Sequence, residues 1–191
     1  MKSMKLTSAL TVAMIAGGIG FSSISADAVE NQTSTGKVTF TPGELTLDKV
    51  PSFDFGTQQI TTQPKDYDAQ EQSKVQVTDL RGSSAGWTLT VTAGKLKTTS
   101  MKELVGAEIR LHSGQTSDNN NGETVIIPDT IYLIPEQSEK VMNAAAGNGN
   151  GVTTGTWQSS DVKLFVPGTT TKSAEQYTAD LTWTLTDAPA P

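Results

Sequence analysis

The chain has no cysteine, a single histidine (His112) and only two arginines, Arg81 and Arg110. Without cysteine there can be no disulfide, thiolate metal site, cysteine nucleophile or lipid-modified cysteine. A lone histidine cannot supply the ligand count of a zinc site. Few arginines and a formal charge of −6 leave no broad basic face, so nucleic acid is not an expected partner. Long apolar runs are also missing after the first two dozen residues, so nothing beyond them is apolar enough to cross a bilayer. Aromatic residues make up 6% of the chain, and the places where they fall are therefore informative.

The N-terminus has the organisation of a secretory signal peptide. Lys2 and Lys5 give a positive start, an apolar stretch follows from Leu6 to Ile24, and Ala26-Asp27-Ala28 offers small residues for cleavage. Residues 1–28 are read as the signal, and the mature domain is expected to span 29–191. Loss of two lysines and one aspartate takes the charge from −6 to −7. Val166-Pro167-Gly168-Thr169-Thr170 resembles a sortase signal only in part, and it sits between two strand-like runs, so no covalent anchor is expected.

The tripeptide Trp-Thr-Leu occurs twice, as Trp87-Thr88-Leu89 and Trp183-Thr184-Leu185. Around the first copy Trp87, Leu89 and Val91 alternate with Thr88, Thr90 and Thr92. Around the second, Tyr177, Ala179, Leu181, Trp183 and Leu185 alternate with Thr178, Asp180, Thr182, Thr184 and Thr186. Period two is the signature of a strand with one buried and one wet face. Similar short runs recur at 38–40, 45–47, 53–55, 75–77, 109–111, 125–127, 131–134 and 162–166, with prolines 42, 51, 64, 128, 135 and 167 at their ends. The fold expected is all-β: a single-domain β-sandwich or irregular β-barrel, Ig-like in general character. Helix competes with strand at 102–105, and at 136–146 on the strength of Glu, Lys, Met and three alanines. The stretches 117–122 and 148–151 read as surface loops.

Three patterns imitate chemistry. Gly82-Ser83-Ser84-Ala85-Gly86 matches the hydrolase Gly-x-Ser-x-Gly, but that motif works only on a strand-to-helix turn with a later acid and histidine. Here strands flank it, and neither Glu103 nor Glu108 is marked as a partner for His112. Asp66-Tyr67-Asp68 and the loop around Asp118 suggest calcium. Yet setting Gly122 at the turn position of an EF-hand loop puts Ser117 first and Pro128 twelfth, where a bidentate glutamate is needed. No acidic residue stands out as half of a glycosidase pair. No catalytic residue, metal or cofactor is expected.

The doubled tripeptide, with Phe53-Asp54-Phe55-Gly56, the segment Val75 to Gly82, Gly155-Thr156-Trp157 and the closing Tyr177 to Leu185, resembles the WxL family over the whole mature chain. The resemblance implies export by a low-GC Gram-positive bacterium and non-covalent retention at the cell wall through peptidoglycan or another wall glycan. It also implies a surface complex with larger WxL proteins and a WxL-interacting protein. The alternative is a subunit that docks on a wall-bound partner and does not touch peptidoglycan itself. The motif residues Trp87, Thr88, Leu89, Trp183, Thr184 and Leu185 are read as core in preference to an exposed site, because a tryptophan flanked by same-face Leu and Val is usually buried. Trp183, on the longer alternation, is expected to matter most. Trp157, between glycine and polar residues, is the expected exposed ring. Lys95, Lys97 and Lys102 form the one basic cluster, read as a solvated strand end or loop and as a secondary candidate for ligand contact.

Overall fold

The computed structural model describes residues 32–118 and 123–189. The signal segment, cleavage site and most of the loop after Asp118 lie outside the described residues. All strands fall in the compact unit Phe40–Pro191, and the described residues before it, 32–39, carry none.

Twelve strands are described: β1 (Leu45–Lys49), β2 (Lys65–Asp68), β3 (Ser73–Asp79), β4 (Trp87–Ala93), β5 (Glu108–His112), β6 (Gln115–Asp118), β7 (Val125–Ile126), β8 (Thr130–Leu133), β9 (Ser138–Ala144), β10 (Gly151–Trp157), β11 (Val162–Val166) and β12 (Leu181–Thr186). They form three antiparallel sheets, in the orders β1-β3-β10-β6, β2-β11-β5-β8 and β12-β4-β9-β7. The all-β expectation holds. The sheets do not close into a barrel but converge on one core, as in a sandwich. The first sheet contributes Val75, Val77 and Trp157, the second Ile109, Leu111, Leu133 and Val162, and the third Trp87, Leu89, Val91, Val141 and Met142.

At 136–146 the strand prevails over the helix. The segment is needed to pair β4 on one side and β7 on the other, and a bulge between Leu89 and Thr90 lets the consecutive residues Val141 and Met142 both be buried. The possible helical turn at 102–105 is absent; instead Lys97 and Glu103 form an isolated bridge. Phe53 and Phe55 form no strand, yet both lie half-buried on the core with rings 6.5 Å apart. Val38 and Phe40 form no strand and are exposed.

The reading of Trp157 as an exposed ring is wrong: it is 1% exposed. Its polar neighbours in sequence misled, because parity along β10 sets Trp157 on the same inward side as Thr153 and Gly155. Two glycines make room for it. A Cβ on Gly114 would stand 2.5 Å from its Nε1, and one on Gly155 would stand 3.3 Å from its ring and 2.9 Å from the Met142 sulfur.

Candidate functional site: the paired Trp-Thr-Leu strands

The two copies of the motif, 96 residues apart in the chain, are hydrogen-bonded neighbours. β12 runs antiparallel to β4 with Leu185 opposite Leu89, Trp183 opposite Val91 and Leu181 opposite Ala93. Both tryptophans therefore lie on the inward side of the sheet, four register positions apart, which is about 13 Å.

Their surroundings differ. β4 is an interior strand with β9 on its other side, and Trp87 is completely buried. Its Nε1–H donates to the Gly149 carbonyl at 3.0 Å. That contact requires glycine: Gly149 has φ +82°, and a Cβ there would meet Nε1 at 2.5 Å. The turn entering β4 is held by Arg81, whose Nε and Nη2 donate to the Asp79 carboxylate at 2.9 and 2.7 Å while Nη2 also donates to the Gly86 carbonyl at 2.9 Å. These bonds outweigh desolvation, keeping the Asp79 carboxyl below its ordinary value and raising the Arg81 guanidinium above its own.

Trp183 stands on an edge strand and is half-buried, and its indole N–H has no partner among the described residues. It lines an open groove of about 1200 Å³ together with Leu181, Phe53, Phe55, Tyr67 and Leu164. One wall of the groove is the irregular segment that follows β1; the other is β12 and the chain leading into it.

On the outward side of the same two strands threonine meets threonine three times, in the pairs Thr88 with Thr186, Thr90 with Thr184 and Thr92 with Thr182. Thr182, Thr184 and Thr186 are exposed, and Thr90 and Thr92 half-exposed. Thr88 departs from the expected wet face. It is buried, its hydroxyl bonded to Asn143 Oδ1 at 3.0 Å and to the Ala188 carbonyl at 2.9 Å where the chain folds back after β12.

The basic cluster is largely neutralised. Lys95 lies 3.4 Å from Glu136 and 3.8 Å from Glu103. Lys102 is bound to Glu175, which also accepts from Ser100; the pairing raises the lysine and lowers the glutamate. Lys97 takes part through its backbone, in bridges to Glu103 and Thr178. The segment Gly82 to Gly86 is a turn between β3 and β4, with Ser84 Oγ accepting from Asn150 Nδ2 at 3.2 Å and its carbonyl accepting from the Gly147 N–H. His112 is on β5, its Nδ1 3.2 Å from the Thr130 hydroxyl. Among the described residues no three His, Asp or Glu side chains converge as metal ligands.

No helix among the described residues is long and apolar enough to cross a membrane. No curated protein and no solved structure matches the chain. A family model does: the WxL domain, described as surface cell wall-binding, matches residues 24–189, and with the pairing of its two Trp-Thr-Leu strands in one sheet the chain belongs to the WxL family.

Proposed function

We propose that this protein is a non-catalytic, secreted domain held non-covalently to peptidoglycan of a Gram-positive wall, within a complex of WxL proteins and a WxL-interacting partner. The outward face of β12 and β4 is the contact surface. The observation that carries this is the register-matched threonine face: exposed hydroxyls and methyls, with no charged side chain between the two strands, suit an uncharged sugar chain. Charge points the same way. The protein is acidic and Lys95 and Lys102 are neutralised by glutamates, so polyanions of the wall are repelled at long range, an effect that physiological salt confines to about 8 Å. Attachment then rests on short-range hydrogen bonds and van der Waals contact.

The deciding experiment is sedimentation with protein-free peptidoglycan. Binding should survive roughly 1 M salt, where screening shortens to about 3 Å, and should weaken when Thr184 is replaced by glutamate. Binding abolished by salt would overturn the short-range reading. On cells, the protein should be released by chaotrope or low pH without muramidase.

The second reading, docking on a wall-bound partner, is favoured by the edge of β12, which is unpaired among the described residues and is a template for strand addition. It predicts no binding to protein-free wall and recovery of binding when the partner is added.

A further inference from the structure

The edges of the three sheets are defended unequally. Natural edge strands are blunted by charge, proline, bulges or shortness, because their open main-chain groups would otherwise pair with another chain. β1 has a bulge between Leu47 and Lys49 and ends in Asp48-Lys49. β2 is Lys-Asp-Tyr-Asp, and β6 is Gln-Thr-Ser-Asp. β7 has two residues, and β8 has four, between Pro128 and Pro135. β12 has none of these devices. At six residues it is the longest edge strand among the described residues, it carries no charge or proline, and its register with β4 runs without a shift.

What an open edge accepts depends on the side chains set opposite its own. Leu181-Thr182-Trp183-Thr184-Leu185 reads the same in both directions. An antiparallel second copy of β12 centred on Trp183 therefore puts Leu181 opposite Leu185, Thr182 opposite Thr184 and Trp183 opposite itself. Opposite residues of an antiparallel pair point to the same side, so apolar chains meet on the inward side and threonines on the outward side. Centring on either neighbouring residue breaks the match, bringing Asp187 against Leu181 or Ala179 against Leu185. Beside this edge lies the groove lined by Trp183, Leu181, Phe53 and Phe55, an apolar bed for the leucines and tryptophan of an added strand.

We propose that β12 pairs antiparallel with β12 of a second copy about a two-fold axis at Trp183, joining the two β12-β4-β9-β7 sheets edge to edge. The contact is isologous, so it closes at the dimer. It makes about four to six main-chain hydrogen bonds and is small, so the dimer forms between about micromolar and millimolar concentration. The axis stands perpendicular to the sheet, which brings the outward threonines of both copies onto one side as a continuous face. The proposal rests on neither reading of wall attachment: the threonine side stays uncovered, and a wall-bound partner docking on the same edge would compete with the second copy.

Sedimentation velocity of the purified exported protein, without wall material, should show a mass that rises from monomer to dimer over that range and stops there. Thr182→Lys with Thr184→Lys in one chain, both at exposed positions, sets lysine against lysine across the axis and should hold the protein monomeric with its denaturant midpoint nearly unchanged. Thr182→Glu with Thr184→Glu should also be monomeric alone, and mixing the two variants should restore a dimer with one copy of each. Because the chain has no cysteine, introduced thiols report register: Thr182→Cys mixed with Thr184→Cys should give a disulfide that neither forms alone. A monomer throughout the range, a lysine variant that still dimerises, or a lysine–glutamate mixture that stays monomeric would overturn the proposal. So would species that lengthen beyond the dimer, or a Thr184→Cys disulfide with itself, which would move the axis off Trp183. Failure to bind protein-free peptidoglycan would leave these results unchanged and would count against the wall reading alone.

Discussion

Trp87 and Trp183 occupy equivalent positions in identical tripeptides on adjacent strands, yet one is sealed and the other half-open. The difference lies in what flanks each strand. β4 has β12 on one side and β9 on the other, and the 148–150 turn closes over its indole; β12 has β4 alone among the described residues and opens on the groove. A repeated motif therefore need not mean a repeated role. The first copy is sealed in the core, and the second borders an open groove.

The comparison breaks first at the tryptophans. Trp87→Ala should lower stability by ~3 to 5 kcal/mol, the range for removing a fully buried large aromatic, and Trp183→Ala by about half as much. Denaturant midpoints measure both; this ranking reverses the one the longer alternation around Trp183 suggests, and equal losses would erase the distinction. Next is the cover over the first indole. Gly149→Ala forces a Cβ into a left-handed turn and against Trp87, and should cost about 2 kcal/mol, with a blue or red shift in near-UV absorbance marking the disturbed indole.

The Asp79–Arg81 pair sharpens the comparison through pH. Because Arg81 depresses the carboxyl of Asp79 in the folded state, its contribution is present above the ordinary aspartate range, near pH 4, and is lost as pH falls through the lower folded value. Midpoints of the parent protein should fall on acidification below about pH 4, and Asp79→Asn should remove part of that slope while lowering stability at neutral pH. An unchanged slope would show that other carboxylates dominate. The smallest effect on stability is expected on the threonine side. Thr184→Ala should shift the midpoint by less than about 0.5 kcal/mol, as for an exposed position, while Thr184→Glu should reduce wall binding several-fold.

Much of the fold was legible because apolar runs mark strands at the centre and at the edges of the sheets: β3, β4, β5 and β11 are interior, and β1, β7, β8 and β12 are edges. The strands that escaped notice are polar ones. β2 buries only Tyr67 among Lys65, Asp66 and Asp68, as charged edges do, and β6 reads Gln-Thr-Ser-Asp. β10 was partly hidden because its inward side holds Thr153 and Gly155 beside Trp157, and small residues that make room for a large one leave no hydrophobic run. The lysine cluster was visible, but not that Glu136 and Glu175 would come to meet it.

The amino-acid order alone determined the all-β class, the absence of thiol chemistry, and which residues of each motif strand share a face, since a period of two is local and needs no neighbour. Only the tertiary structure decided that the two motifs pair with each other, that Trp87 and Trp157 are sealed while Trp183 borders a groove, and that Thr88 is covered by the returning chain. Alternation says which side chains point the same way. What lies above them is set by strands far off in sequence, and burial depends on that cover.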